Sequence, residues 1–578
     1  MRPGSSSSAR AGPTCFLFVL LALCISFAAT AHALAHPPQQ PLAKPLPAAQ
    51  GSADSSSLDG LVSEVNHSQT NATRVGNWDA STKTLQQLLD ALHVMQDKYF
   101  VLWTGTWPSS IDWTAAVLAT HVAAMLSSLS SRALDVVNAG QSRGPSFLAL
   151  ENTINHFFSH TTTFYFGENA FSLRNQAYDD MLWVVLDWLE NVKFQDLHTD
   201  LHYPTASMSN NTSKQAWYGT QFQDSAAHRA RIFYELASVG WDKTLCDGGM
   251  IWNPSLLPYK NAITNELYIS ASIAMYLYFP GDPIDAPFLT NEGSRKQYPR
   301  NPAHLQAAVD AYAWLKNSNM TGLGGLYADG FHISGIDPKS PKCDVLNTMV
   351  YTYNQGVVLS GLRGLWLATG AQDYLRDGHE LIHKVLRATG WPQTSSSAWA
   401  GLGRGGVLED ACDSHASCSQ DGQTFKGIFF HHFAEFCRPL RPREEHFLAV
   451  EMGDSVAHGD WDEVYRDHLK QCQAYGPWVE HNALAALETR DDEGKFGMWW
   501  GLPFDQAQAS ASTTVRDGST LPAGAVDYRN YESDIDTLTA GVPRDFNDRG
   551  RGRTVETQSG GVAVLRALFQ WQTYEALS

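Results

Sequence analysis

Asp179 and Asp180 stand side by side in Gln176-Ala177-Tyr178-Asp179-Asp180-Met181-Leu182-Trp183-Val184-Val185-Leu186. Tyr178, Leu182, Val185 and Leu189 keep the i, i+4, i+7, i+11 spacing of one apolar helix face, and Met181, Val184 and Trp188 cover another. A helix that is apolar nearly all round is buried. Two carboxylates opening such a helix are costly, because each unpaired ion loses its hydration. The positive end of the helix dipole favours one anion there. Repulsion then raises the pKa of the other, which yields one nucleophile and one proton donor. Neighbouring helical residues carry carboxyl groups roughly 5–6 Å apart, close to the ~5–5.5 Å of retaining glycosidases and short of the ~6.5–9.5 Å of inverting ones. The bland alternative is a helix cap or a solvated turn. Asp491-Asp492-Glu493, between Thr489-Arg490 and Gly494-Lys495, has the context of such an exposed turn. Asp187 is a rival carboxylate on the same helix, expected to support the site or lie at the helix edge.

A second set of residues suits a carbohydrate cleft. Sugars present C–H faces to aromatic rings and hydroxyl arrays to side chains that both donate and accept. Asp247-Gly248-Gly249-Met250-Ile251-Trp252-Asn253 runs into Tyr259-Lys260-Asn261-Ala262-Ile263-Thr264-Asn265-Glu266. Tyr351-Thr352-Tyr353-Asn354-Gln355-Gly356 opens another apolar helix. Any one of these asparagines could equally be an N-cap. Several helices opening in this way favour a shared rim. Other chemistries find little support. Gly401-Leu402-Gly403-Arg404-Gly405-Gly406 satisfies G-x-G-x-x-G but lacks a preceding strand and a following helix. The phosphate-loop, zinc-helix and G-x-S-x-G patterns are absent from the sequence. His431 and His432 are adjacent, so a helix splays them, and a structural role is expected. No metal and no cofactor is expected.

The elements that must position these residues are helices. Apolar residues recur at helical spacing near 84–100, 112–137, 177–193, 215–240, 259–279, 302–317, 352–369, 372–389, 425–437, 477–489 and 556–576, with more around 444–475. Strand-like alternation is scarce, and Gly, Pro and Asn clusters separate the helices. This predicts an all-α toroid or bundle of helical hairpins over 78–578, where all 18 Trp lie. Residues 1–33 have the basic start, short apolar run and small-residue site of a cleaved signal peptide. A Pro/Ser-rich flexible linker follows over 34–77. No later stretch is expected to span a membrane, and the C-terminus lacks a lipid-anchor tail, so the mature chain is expected to be secreted without an anchor.

Removing the leader leaves six of the eight cysteines, which predicts three disulfides with only Cys412–Cys418 assignable, by proximity. Sequons at Asn66, Asn71, Asn210, Asn211 and Asn319 fit glycosylation during export. The 41 Lys+Arg against 59 Asp+Glu give a net charge of −18. That balance disfavours nucleic acid and anionic membrane surfaces as partners. A monomer is the default expectation.

The ordered segments resemble glycoside hydrolase family 76, the α-1,6-mannanases, in their secreted fungal form. The resemblance runs from about 84 to 575. It is carried by Tyr178-Asp179-Asp180 with Trp183, Asp247 to Asn253, Tyr259 to Glu266, Thr352 to Gly356, Leu408 to Cys418, Phe425 to Phe429 and Glu556 to Ala563. It implies an (α/α)6 barrel and a retaining, endo-acting cleavage of α-1,6-mannan through a covalent mannosyl-enzyme. Asp179 would be the nucleophile and Asp180 the general acid/base. Tyr178, Trp183, Asp247, Trp252, Asn253, Asn261, Asn265, Tyr353, Asn354 and Gln355 would contact substrate. Many members carry two neighbouring aromatics after the acid pair, whereas here Trp183 is followed by Val184. The looser stretches 194–214 and 505–555 are expected to reshape the cleft. A cell-wall transglycosylase and a non-catalytic mannan-binding protein are the alternatives.

Overall fold

The computed structural model describes residues 75–133, 145–164, 176–203, 217–286, 289, 297–335, 341–451, 461–504, 521–530 and 545–575. The expected leader, nearly all of the linker and the sequons at Asn66, Asn71, Asn210 and Asn211 lie outside them. Asn319 is exposed, with φ at 56°.

Thirteen helices longer than five residues are described: α1 Val75–Tyr99, α2 Asp112–Ser128, α3 Pro145–Thr163, α4 Tyr178–His202, α5 Gln223–Ser238, α6 Ala262–Tyr278, α7 Pro302–Asn317, α8 Val357–Thr369, α9 Asp373–Ala388, α10 Gln420–Cys437, α11 Trp461–Gln473, α12 Gly476–Glu488 and α13 Val555–Glu575. Their sequences divide them into two kinds. In α9 the buried Leu375, Gly378, His379, Ile382, Val385 and Leu386 form one stripe with charged residues opposite, as a surface helix requires. In α2 every residue from Trp113 to Ser127 is buried. Such a helix needs neighbours on all sides. The structure supplies them: α2 packs on α4, α4 on α6, α6 on α8, α8 on α10, α10 on α13, and α13 returns to α2. Outside this closed inner ring, α1 packs on α13, α3 on α2, α5 on α4, α7 on α6 and α9 on α8, while α11 and α12 together flank α10 and α13. Inner and outer helices alternate along the chain, with α11 and α12 together filling one outer position, which makes the fold an (α/α)6 barrel. The described residues fall in one compact unit.

Close approach in the ring is permitted by small residues. A Cβ on Gly427 of α10 would lie 3.0 Å from Gly560 Cα of α13. The stretch Asp112–Ser131 is long and apolar enough to cross a membrane by length and composition, contrary to the sequence expectation that no such stretch follows the leader. It is buried as an inner barrel helix, and the same apolarity serves packing there.

Two features depart from the sequence reading. The helix α3 had no counterpart in it. A small antiparallel sheet, order β1-β2-β3, joins Tyr259–Asn261, Gly330–Ser334 and Lys342–Asn347, with Tyr259 opposite His332 and Gly330 opposite Asn347. A two-strand hairpin, β4 Gly403–Arg404 with β5 Val407–Leu408, occupies the G-x-G-x-x-G segment. Three disulfides are present among the described residues: Cys412–Cys418, Cys246–Cys343 and Cys437–Cys472.

Candidate active site

The inner helices bring their N-termini to one face. Trp113 at the start of α2 donates its indole N–H to Asp421 in the first turn of α10 at 2.8 Å. Thr114 and Gln420 both donate to Glu556 in the first turn of α13, each at 2.9 Å. Trp113 also stacks on Trp183 of α4, with centroids 5.6 Å apart. Six helix N-termini around one mouth give a positive backbone field, and acids collect in it.

Asp179 and Asp180 open α4 there. The backbone N–H of Tyr178 donates to Trp252 O at 2.9 Å, tying the helix start to the Trp252 segment. Asp179 is buried and Asp180 half-buried. Asp179 Oδ1 accepts the backbone N–H of Asp180 at 3.2 Å, and Oδ2 accepts Trp252 Nε1–H at 3.0 Å. Arg529 Nη2 stands 3.9 Å from the same Oδ2.

The two carboxyls titrate differently. Burial pushes Asp179 up to about 6, against the opposing pull of Arg529, backbone N–H groups and the Trp252 indole. Asp180 is raised well above the usual carboxylate range, first by burial, then by the Asp179 charge, then by Asp112, with Arg529 opposing and Asp421 adding a smaller push. Anion-stabilising contacts converge on Asp179, whereas burial first and the nearby acids second hold a proton on Asp180. One ionised and one protonated carboxyl on consecutive residues is the arrangement needed for attack and protonation within one step.

The wall around the pair is aromatic. Trp252 lies edge-on to Tyr259, and Tyr259 donates its hydroxyl to Asp329 at 2.6 Å. Tyr353 stacks on Phe425 with centroids 3.9 Å apart, and its raised pKa, due first to burial, is pushed further by Asp179 among other groups. Beneath it, Asp410 accepts both the backbone N–H and the hydroxyl of Thr352, at 2.9 and 2.7 Å, fixing the turn that presents Tyr353.

Of the residues singled out from sequence, Asp179, Asp180, Trp183, Trp252 and Tyr353 are brought to this mouth. The ring of Tyr178 covers Gly240, where an added Cβ would meet it at 2.6 Å. The amides mostly serve the scaffold. Asn261 caps α6 by accepting Thr264 N–H at 3.3 Å. Asn265 accepts Met250 N–H and donates to the Met250 and Asn261 carbonyls. Gln355 accepts from Tyr327 N–H and donates to the Tyr327 and Tyr351 carbonyls. Asn253 turns its own loop by accepting Ser255 N–H at 2.8 Å. Asp247 is exposed in a left-handed turn organised by the Lys260 ammonium, which donates to the carbonyls of Asp242, Leu245 and Gly248. Asn354 is fully buried, and neither of its amide atoms has a partner among the described residues.

The sequence reading missed Trp113, Asp421 and Arg529. The first two were findable as a tryptophan and an acid at helix starts. Arg529 carries no local signal of its own, although it sits in the stretch 505–555 that is expected to reshape the cleft. Asp187 is buried in α4, His431 and His432 are both buried in α10, and Asp491-Asp492-Glu493 is a turn closed by Asp491 on the N–H groups of Glu493 and Lys495. Two described clusters bring metal-ligating atom types together, His379-His468-Cys472 and Cys412-Asp413-Cys418. Their cysteines are all in disulfides, and a disulfide sulfur is not the thiolate a metal takes.

Residues 225–450 match the model of glycosyl hydrolase family 76. Asp179 and Asp180 lie ahead of the matched span. Among curated relatives, the mannan endo-1,6-alpha-mannosidase DCW1 of Candida glabrata is 25% identical over 206 residues, 34% of this chain and 36% of that protein. The DFG5 enzyme of the same description from Saccharomyces cerevisiae is 24% identical over 193 residues, 33% and 34% of the two chains. The chain thus matches about a third of the length of these relatives. Among solved structures, an inactive variant of the α-1,6-mannanase of Salegentibacter sp. HEL1_6 in complex with α-1,6-mannotriose is 17% identical. The match covers 84% of this chain and 99% of that one, with a TM-score of 0.46. Dfg5 from Chaetomium thermophilum in complex with glucosamine is 12% identical, covering 88% and 92% with a TM-score of 0.46.

Proposed function

From the match to glycosyl hydrolase family 76, we propose that this chain is a secreted enzyme that cleaves α-1,6-mannosidic bonds within mannan, with retention at the anomeric carbon. The observation that carries this reading is the adjacent pair Asp179 and Asp180 at the aromatic mouth of the barrel, with the Asp179 carboxylate held by the Trp252 indole N–H and the Asp180 backbone N–H. Asp180, held protonated, gives its proton to the glycosidic oxygen. Asp179, ionised and hydrogen-bonded by Trp252, attacks the anomeric carbon and forms the mannosyl ester. The leaving chain departs with the Asp180 proton. Asp180, now a carboxylate, takes a proton from water, which attacks the ester and restores both groups. Trp252, partly exposed beside Asp179, supplies a flat apolar surface on which a mannose ring rests, while the buried Trp183 and Tyr353 back the wall through their stacking on Trp113 and Phe425. The curated relatives' description as mannan endo-1,6-alpha-mannosidases supports the choice of substrate.

The test is a product profile of purified protein on linear and branched α-1,6-mannan. Shorter mannooligosaccharides from wild type, and a loss of at least about a thousandfold in Asp179→Asn and Asp180→Asn, are expected. Intact mannan after prolonged incubation, or full activity in both variants, contradicts the proposal. Products longer than the starting oligosaccharide would move the chain to the transglycosylases.

A further inference from the structure

We propose that Arg529 is a positioning residue that keeps the Asp179 carboxylate ionised and aimed, acting with Trp252 as a clamp on one carboxylate oxygen. This rests on the role given to Asp179 above. The guanidinium stands 5.2 Å over the Trp252 ring, and Trp252 Nε1–H and Arg529 Nη2 approach the same Oδ2 of Asp179, at 3.0 and 3.9 Å. The other oxygen, Oδ1, is held by the Asp180 backbone N–H. Stacking on the indole fixes the planar cation beside the carboxylate, which a flexible ammonium does less well.

The segment 521–530 that carries Arg529 is pinned across the mouth from several sides. Asn347 Oδ1 accepts Val526 N–H at 2.9 Å, and Thr348 donates its hydroxyl to Ala523 O at 2.8 Å. The Tyr351 hydroxyl donates to Asp527 at 2.7 Å, and Asn530 Oδ1 accepts Ser419 N–H at 2.7 Å. The residue is therefore delivered to Asp179 by the end of β3 and the start of α10, on a span only about 20% exposed at the arginine itself.

The groups around the guanidinium are mostly acidic or phenolic. Asp179 and Asp180 come from α4, Asp421 from α10, Asp329 from just before β2, Tyr259 from β1, Tyr353 from the turn before α8 and Asp527 from its own segment, with Asp112 of α2 acting on Asp180 behind them. Burial raises Asp179, Asp180 and Asp329, and Arg529 is the cation that opposes it in all three. Removing it leaves Asp179 buried beside other acids with only neutral hydrogen-bond donors, so its proton is held more tightly.

Arg529→Ala and Arg529→Lys in the full chain test this by pH–rate profiles on a linear α-1,6-mannooligosaccharide. The alanine variant is expected to lose about tenfold to a hundredfold in kcat/KM, mainly in kcat, with its acidic limb moved up by about one pH unit. The lysine variant should recover part of both. An unmoved acidic limb, or a loss confined to KM, overturns the proposal. A thermal-unfolding series from pH 5 to pH 8 gives a readout that needs no turnover. The alanine variant must lose stability more steeply with rising pH than wild type, because a further raised Asp179 pKa enlarges the loss. Parallel curves overturn the role of Arg529 whether or not mannan is cleaved, whereas a wild type without activity but with the steeper variant curve rejects only the enzymatic reading. If the alanine variant does not fold, the lysine variant is read in the same two ways, since it keeps the charge and loses the stacked geometry.

Discussion

Asp179 keeps its proton to about pH 6 in the folded chain against an ordinary 3.8. A raised folded pKa makes the contribution of this group to stability complete below the unfolded value and lost as pH rises through the folded one. Asp179→Asn removes that penalty. The variant is expected to be more stable than wild type, by a margin that grows between pH 5 and pH 8 by on the order of 1–2 kcal/mol, measured by urea unfolding at both pH values. A margin that is flat or shrinks across this range would contradict the assignment. Function and stability are opposed at this residue, as is common where a charge is held dry for chemistry. The pair itself was legible in the sequence because its helix is apolar on every side. The clamp around it was not, since Trp252 and Arg529 reach Asp179 from 73 and 350 positions away along the chain, and no periodicity links them.

At the level of elements, the site depends on how closely inner helices approach. Gly356 separates the Tyr353–Gln355 turn from α8 and packs on α10, where an added Cβ would fall 2.6 Å from Phe429 Cα. Backbone on both sides cannot yield as a side-chain tip can. Gly356→Ala should cost about 1–3 kcal/mol through overpacking and displace Tyr353 from Phe425, seen as a lowered midpoint in chemical unfolding together with weaker oligosaccharide binding. Unchanged stability and binding would show that the two helices are not in tight contact there. Most inner helices announce themselves by continuous apolar sequence. The outer helix α3 does not, although Phe147, Leu150, Ile154, Phe157 and Phe158 are buried at helical spacing. Its Asn152-Thr153, Ser159-His160 and Thr161-Thr162-Thr163 have poor intrinsic propensity, and packing against α2 overrides it. The sheet was illegible for a different reason: its strands are three to six residues long, and although β2 and β3 are near neighbours in sequence, β1 meets β2 only through distant pairs such as Tyr259 with His332.

Across the whole molecule, the two ends of the barrel carry opposite logic. The mouth gathers acids at helix N-termini. At the other end, Lys193, Arg438, Arg441 and Arg566 converge on Glu190, Glu435 and Glu444, with Lys193–Glu435 at 3.1 Å and Arg438–Glu435 at 2.8 Å. Burial pushes Glu435 up, but the surrounding cations outweigh it and hold the carboxyl well below its usual range. That contribution is present above the ordinary Glu value and is lost as pH falls below it, the reverse of Asp179. Glu435→Gln should cost about 3–5 kcal/mol, because it leaves several buried cations uncompensated; a thermal midpoint within a degree or so of wild type would contradict this. The acidic net charge and helical composition of the sequence set the class of the protein, but the division between an acidic mouth and a cation-rich base appears only when the helices are closed into a ring. The most direct test of the division of labour at the mouth is trapping with a 2-deoxy-2-fluoro mannooligosaccharide fluoride, followed by peptide mass analysis. A stable mannosyl adduct on Asp179 is expected. An adduct on Asp180, or steady turnover of α-1,6-mannan with inverted products and no adduct, would contradict it.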